Sequence, residues 1–150
     1  VIVGQIEHGE IDAFEADLRR RADKLNGRVR FAGRVAAEVL PLYYQAAQVC
    51  VVPTLIEEAA GLVAVEAMAS GCPLIVTQSG GLPEYVAGSG AIVLPRGDGL
   101  SARIAQAITA LQSDPERRTE MSAAGRDRAK SFTAGHYYRD FYRIVTREHS

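Results

Sequence analysis

The sequence predicts an α/β fold: a doubly wound parallel sheet with helices on both faces. Three observations carry that prediction. Short β-branched runs alternate with longer stretches of helical periodicity along the 150 residues. The connections between them are a few residues long, as repeated strand-helix-strand units require. The composition, 47% hydrophobic and 23% charged, is that of one globular domain rather than two.

The elements follow in order. Val1 to Gly4 reads as the last part of a strand with nothing before it, so the chain is expected to be a piece of something longer. Ile11 to Leu25 sets Phe14, Leu18 and Leu25 on one helical stripe and turns Asp17, Arg19 and Arg20 to water. Val29 to Ala32 is the second strand, and Pro41 holds the next helix start near Val39, because proline is tolerated only in a first turn. Val49 to Pro53, Pro73 to Thr77 and Ala91 to Leu94 are the remaining strands. Between them, Leu62 to Ser70 is a short apolar helix closed by Gly71, and Leu82 to Ala87 is shorter still. Asp98 and Asp114 are expected N-caps, the second followed by Pro115 at the first helical position. Tyr137, Tyr138, Phe141 and Tyr142 recur at helical spacing after Phe132, a face expected to pack on the sheet or on a partner domain rather than to stack bases.

Charge and composition exclude several functions. Seventeen Lys and Arg against 18 Asp and Glu leave a formal charge of −1, which offers a nucleic acid no bulk attraction. No apolar run approaches the roughly 18 residues of a membrane span and no leader opens the chain, so a cytoplasmic protein is expected. Cys50 and Cys72 lie in apolar segments and are read as buried free thiols. His8, His136 and His149 are scattered and no Asp-x-Asp pair is present, so no metal is expected. The arginine runs at 19–21 and 117–118 are read as solvated charges.

In a parallel sheet ligands bind beyond the carboxyl ends of the strands, which directs attention to the loops after Gly4, Ala32, Pro53, Thr77 and Leu94. The loop after Pro53 carries Glu57 and Glu58, and the helix that follows is apolar apart from Glu66. A buried carboxylate is costly unless it accepts hydrogen bonds, and ribose hydroxyls would supply them. Gly61 permits close approach to the backbone, and the free amides of Gly61, Leu62 and Val63 at the positive end of the helix suit a phosphate. The alternative leaves Glu57 and Glu58 as solvated loop charges and pairs Glu66 with an arginine. Ser79-Gly80-Gly81 reads as a tight strand-to-helix turn in preference to a second anion cradle.

The run Glu58-x7-Glu66, within Glu-Glu-Ala-Ala-Gly-Leu-Val-Ala-Val-Glu-Ala-Met-Ala-Ser-Gly, closely resembles the E-x7-E signature of GT4-type retaining glycosyltransferases. Val29 to Val35, Ser79 to Glu84 and Asp114 to Arg118 resemble later landmarks of that family in the same order. The resemblance implies the Rossmann-like, C-terminal half of a GT-B architecture: a domain over residues 1–150 that binds the nucleotide diphosphate sugar, without the N-terminal acceptor domain. Its implied role is to help transfer a hexose with retention of configuration. By position, Glu66 would hold the ribose hydroxyls, and Glu58 the donor hexose as the residue at the reacting sugar. The amides around Gly61 and Leu62 would take the distal phosphate, and the loop with Arg34 and Val35 would lie beside the base. The resemblance also implies that the leaving phosphate assists its own displacement on the front face, with no side-chain nucleophile. The family's diphosphate-clamping Arg and Lys would lie upstream of Val1, and Ala60 stands where many members have Phe. The partners implied are a nucleotide diphosphate sugar and the missing domain, through which the enzyme can reach a membrane surface. The competing functions are a nucleotide-sugar epimerase of the same architecture and a nucleotide-binding module without turnover, and the chain alone is expected to be inactive.

Overall fold

The computed structural model describes residues 1–4, 12–57, 61–133 and 135–136. They form two compact units, Val1–Leu40 and Pro41–Ser150.

In the first unit β1 (Ile2–Val3) pairs in parallel with β2 (Phe31–Gly33), and α1 (Asp12–Asp23) lies between them in sequence. The expected stripe on α1 is only partly buried. Phe14 is 60% exposed and Leu25 is exposed, while Ala22 is the buried residue. Two short strands offer too little sheet to cover a whole helix face. Arg19 faces water as expected, and there it sets its guanidinium 4.6 Å from the centre of the Phe31 ring and pairs with Glu15. Arg20 and Arg21 pair with Asp17 on the solvent side.

The second unit is built on parallel strands β3 (Cys50–Val52), β4 (Leu74–Thr77) and β5 (Ile92–Leu94), hydrogen-bonded in that order. Cys50 stands opposite Leu74, and Ile75 opposite Ile92. All four residues of the central strand β4 are buried, as a parallel strand covered on both faces requires. The short helices are α2 (Leu40–Ala46) before β3, α3 (Leu62–Ala69) between β3 and β4, and α4 (Leu82–Tyr85) between β4 and β5. Two longer ones follow, α5 (Leu100–Gln112) and α6 (Pro115–Ala129). Ile75 packs with Ala107 and Leu111 of α5 and Met121 of α6, and Val49, Val51, Ile92 and Leu94 close that core. Gly125 gives α6 close access to α3: the Cβ it lacks would already lie in contact with Met68, at 3.6 Å.

The expected α/β architecture with parallel strands is therefore present, and each strand and helix falls within a few residues of its sequence reading. Asp114 caps α6 as expected, accepting the Arg117 N–H at 2.9 Å. Asp98 does not cap α5. The cap is Gly99, in the left-handed region at φ 77°, and Asp98 sits one residue earlier with its carbonyl accepting from Arg103 at 2.8 Å. Arg118 is not simply solvated, since it donates to the last carbonyls of α5, at Leu111 and at Gln112. Phe132 stacks on Tyr85 at 5.2 Å, and Arg128 lies over its ring while donating to the Glu84 and Tyr85 carbonyls that end α4. The aromatic residues from Tyr137 onward lie outside the described residues. Among the described residues, no helix is long and apolar enough to cross a membrane.

Candidate functional site

The carboxyl ends of β3, β4 and β5 open on a polar cavity of about 540 Å³, with Glu57, Gln78, Gly80, Glu84 and Arg96 in its wall. Three of the strand-end loops singled out from the sequence thus meet at one place. Glu57 follows β3, and its carboxylate accepts the Gly80 N–H at 2.7 Å while pairing with Arg96 from the loop after β5. These two bonds, the arginine's first, hold the Glu57 carboxyl below its ordinary range. Glu57 is exposed but not merely solvated. The Gly-Gly turn does cradle an anion through an amide, and the anion is the chain's own carboxylate.

Beside this cavity the loop after β3 is held through its carbonyls. Thr77 Oγ1 donates to the Thr54 carbonyl at 2.6 Å, Ser79 Oγ to the Ile56 carbonyl, and Arg96 to the Leu55 carbonyl at 3.0 Å. Thr77 and Ser79 are buried, so these hydroxyls need partners and find them in the loop. Glu58, the next residue, lies outside the described residues, as do Ala59 and Ala60.

On α3 the structure departs from the sequence reading. Ala64, Ala67 and Met68 are buried, but Leu62 is 64% exposed and Val63 also faces out. Glu66 lies one turn beyond Leu62 on that open face, so its carboxylate pays no burial penalty. Its described partner is the Tyr44 hydroxyl of α2, which donates to Oε2 at 3.2 Å, and not an arginine. Burial and then the Glu66 charge push the Tyr44 phenol above its ordinary range, which keeps it a donor. Gly61 is the N-cap of α3, and among the described residues no side chain caps the first-turn amides of Leu62 and Val63. Its missing side chain makes room for Leu82: a Cβ there would overlap Leu82 Cδ2.

Gly61, Leu62 and Glu66 are thus gathered on one helix. Arg34 and Val35 follow β2 in the first unit, Arg34 exposed and Val35 half-buried. Tyr44 and Arg96 were not singled out from the sequence, and Ser79 was read only as part of a tight turn, with no hold on the loop after β3. For Arg96 a signal existed, its place two residues beyond the last strand. For Tyr44 there was none, since its contact spans 22 residues.

Residues 1–114 match the family profile described as glycosyl transferases group 1. The chain belongs to the group 1 glycosyl transferases. Among curated group 1 relatives, a GDP-mannose-dependent monoacylated alpha-(1-6)-phosphatidylinositol monomannoside mannosyltransferase of Corynebacterium glutamicum is 34% identical, over 75% of this chain and 31% of its own length. A D-inositol 3-phosphate glycosyltransferase of Kineococcus radiotolerans is 38% identical, over 80% of this chain and 29% of its own. The chain therefore spans about a third of the length of these relatives. Among solved structures, sucrose-phosphate synthase from Thermosynechococcus elongatus superposes with a TM-score of 0.76 and 31% identity, covering 95% of this chain and 38% of that one. HepE of Anabaena, solved with UDP and glucose, gives a TM-score of 0.83 at 21% identity over 97% of this chain and 39% of that one, a likeness of fold. These neighbours are GT-B glycosyltransferases, so the GT4-type resemblance and the fold read from the E-x7-E neighbourhood both hold.

Proposed function

We propose that this chain is the donor-binding part of a retaining glycosyltransferase that moves a hexose from a nucleotide diphosphate sugar to an acceptor. The observation that carries the reading is the open face of α3. There an exposed Glu66, oriented by the buried Tyr44, shares one helix with first-turn amides at Leu62 and Val63 that no side chain caps among the described residues. A carboxylate facing solvent accepts from vicinal ribose hydroxyls, and a helix start without a capping side chain accepts phosphate oxygens. In this reading Glu66 takes the ribose, the amides of Gly61 and Leu62 the distal phosphate, and Glu58 the hexose. No metal enters, so the charge of the leaving diphosphate is met by the helix terminus and by arginines. The acceptor pocket belongs to a partner domain, so the chain alone binds nucleotides but does not turn them over. Free thiols at Cys50 and Cys72 suit a reducing compartment such as the cytoplasm. A neighbour solved with UDP-glucose and a relative named as GDP-mannose-dependent support the ligand class.

Titration calorimetry of the chain with UDP, GDP and ADP tests this. One of the three is expected to bind; Glu66→Ala weakens it through the ribose, and Glu58→Ala matters only for the sugar-bearing nucleotide. No detectable binding of any of them at millimolar concentration to the folded chain would overturn the donor assignment. Unaltered binding by Glu66→Ala would overturn the ribose role.

A further inference from the structure

We propose that Arg96 and Glu57 are positioning residues: with Thr77 and Ser79 they clamp the loop at 54–57 and so set the point from which the chain enters Glu58. The inference rests on the reading above, in which Glu58 meets the hexose.

The loop cannot be held by burial. Leu55 and Ile56 are 67% and 74% exposed, so the apolar side chains that would ordinarily anchor it point away from the protein. What holds it is a run of polar bonds to four consecutive residues. Thr77 takes the carbonyl of Thr54, Arg96 that of Leu55, and Ser79 that of Ile56; Gly80 and Arg96 together take the carboxylate of Glu57. Two of the donors, Thr77 and Ser79, stand on or just after the buried strand β4, which gives the clamp a rigid base. Another, Arg96, bridges from the loop after β5 and grips backbone and carboxylate with separate nitrogens of one planar guanidinium. A lysine has one point charge and cannot reproduce that double grip.

The pair is exposed, with side-chain exposures of 34% for Arg96 and 68% for Glu57, and exposed pairs contribute little to global stability. Its consequence is local. Glu58 is joined to Glu57 by one peptide bond, about 3.8 Å between α-carbons, so freedom in Glu57 passes directly to Glu58. Nucleotide contacts on α3 do not share this dependence, because α3 is anchored separately by Ala64, Ala67 and Met68. Loss of the clamp therefore separates sugar recognition from nucleotide recognition.

Two measurements on the full chain test the proposal. Thermolysin cleavage before Leu55 and Ile56, with sites identified by mass spectrometry, is expected to quicken at least fivefold in Arg96→Ala and in Arg96→Lys, while the melting temperature stays within a degree or two of the unaltered chain. Cleavage there at the unaltered rate would overturn the clamp whatever ligand binds. Calorimetry with UDP against UDP-glucose and GDP against GDP-mannose is expected to show Arg96→Ala losing several-fold affinity for the sugar-bearing member only. Equal losses on both members would show a merely structural role and overturn the proposal. An unaltered chain that binds none of the four defeats the donor reading instead, and the cleavage rates then decide the clamp by themselves.

Discussion

Replacing Tyr44 by phenylalanine isolates one atom of the candidate site. The ring is buried in α2 and would stay; only the hydroxyl that donates to Glu66 Oε2 at 3.2 Å is lost. Because Glu66 is exposed, water takes the vacated place, and the stability cost lies near the lower end of the range for a hydrogen bond, about 0.5–1.5 kcal/mol. Binding is affected differently. With the tyrosine present the carboxylate is oriented before the ribose arrives; without it, ordering the side chain costs about 0.5–1.5 kcal/mol on association. At 1.4 kcal/mol per factor of ten, that is roughly a two- to tenfold rise in Kd. Calorimetry of the unaltered chain and Tyr44→Phe, each with the nucleoside diphosphate that binds and with its 2′,3′-dideoxy analogue, separates the effects. The ribose-bearing ligand should lose affinity and the dideoxy analogue should not. Equal affinity of both proteins for the natural ligand, or an equal loss on the analogue, would refute the claim that Tyr44 acts through Glu66 on ribose hydroxyls.

Gly61→Ala should destabilise the chain by about 1–3 kcal/mol in urea unfolding, because the new methyl overlaps the buried Leu82, which must shift within the core to admit it; unchanged stability would refute that packing argument. The two thiols should be inert in the native chain. Burial pushes Cys50 up to about 12 and Cys72 up to about 11, from an ordinary value of 9.0, so at pH 8 a disulfide reagent should react roughly a hundredfold more slowly than in urea. A raised thiol value means the folded state holds its protons more tightly. The associated stability is whole below pH 9.0 and falls as pH rises toward 11 and 12, which alkaline unfolding of Cys50→Ala against the unaltered chain should show as a shallower decline.

By itself the sequence determined the kind and order of the elements, and where on the chain the chemistry should be sought. Alternating β-branched runs, the Asp114-Pro115 start and the Gly71 stop are local signals, decided by residues within a turn of one another. The Glu58-x7-Glu66 phrase is local as well, and the family follows from it. Tertiary structure decided what those residues touch. Whether Glu66 faces the core or solvent depends on which side of α3 the sheet and α6 cover, and an apolar circumference does not say. Its partner Tyr44 is 22 residues away, and the partner of Glu57, Arg96, is 39 residues away. The first exists because α2 lies beside α3 and sets Tyr44 against Glu66; the second because parallel strands β3, β4 and β5 bring their carboxyl ends to one edge, and register along that edge sets which loop reaches which. The same geometry turned the Gly-Gly amide toward the chain's own carboxylate and filled the space beside Gly61 with Leu82. Local periodicity carries no information about such encounters, because they are fixed by strand order and helix packing across segments the pattern treats as independent.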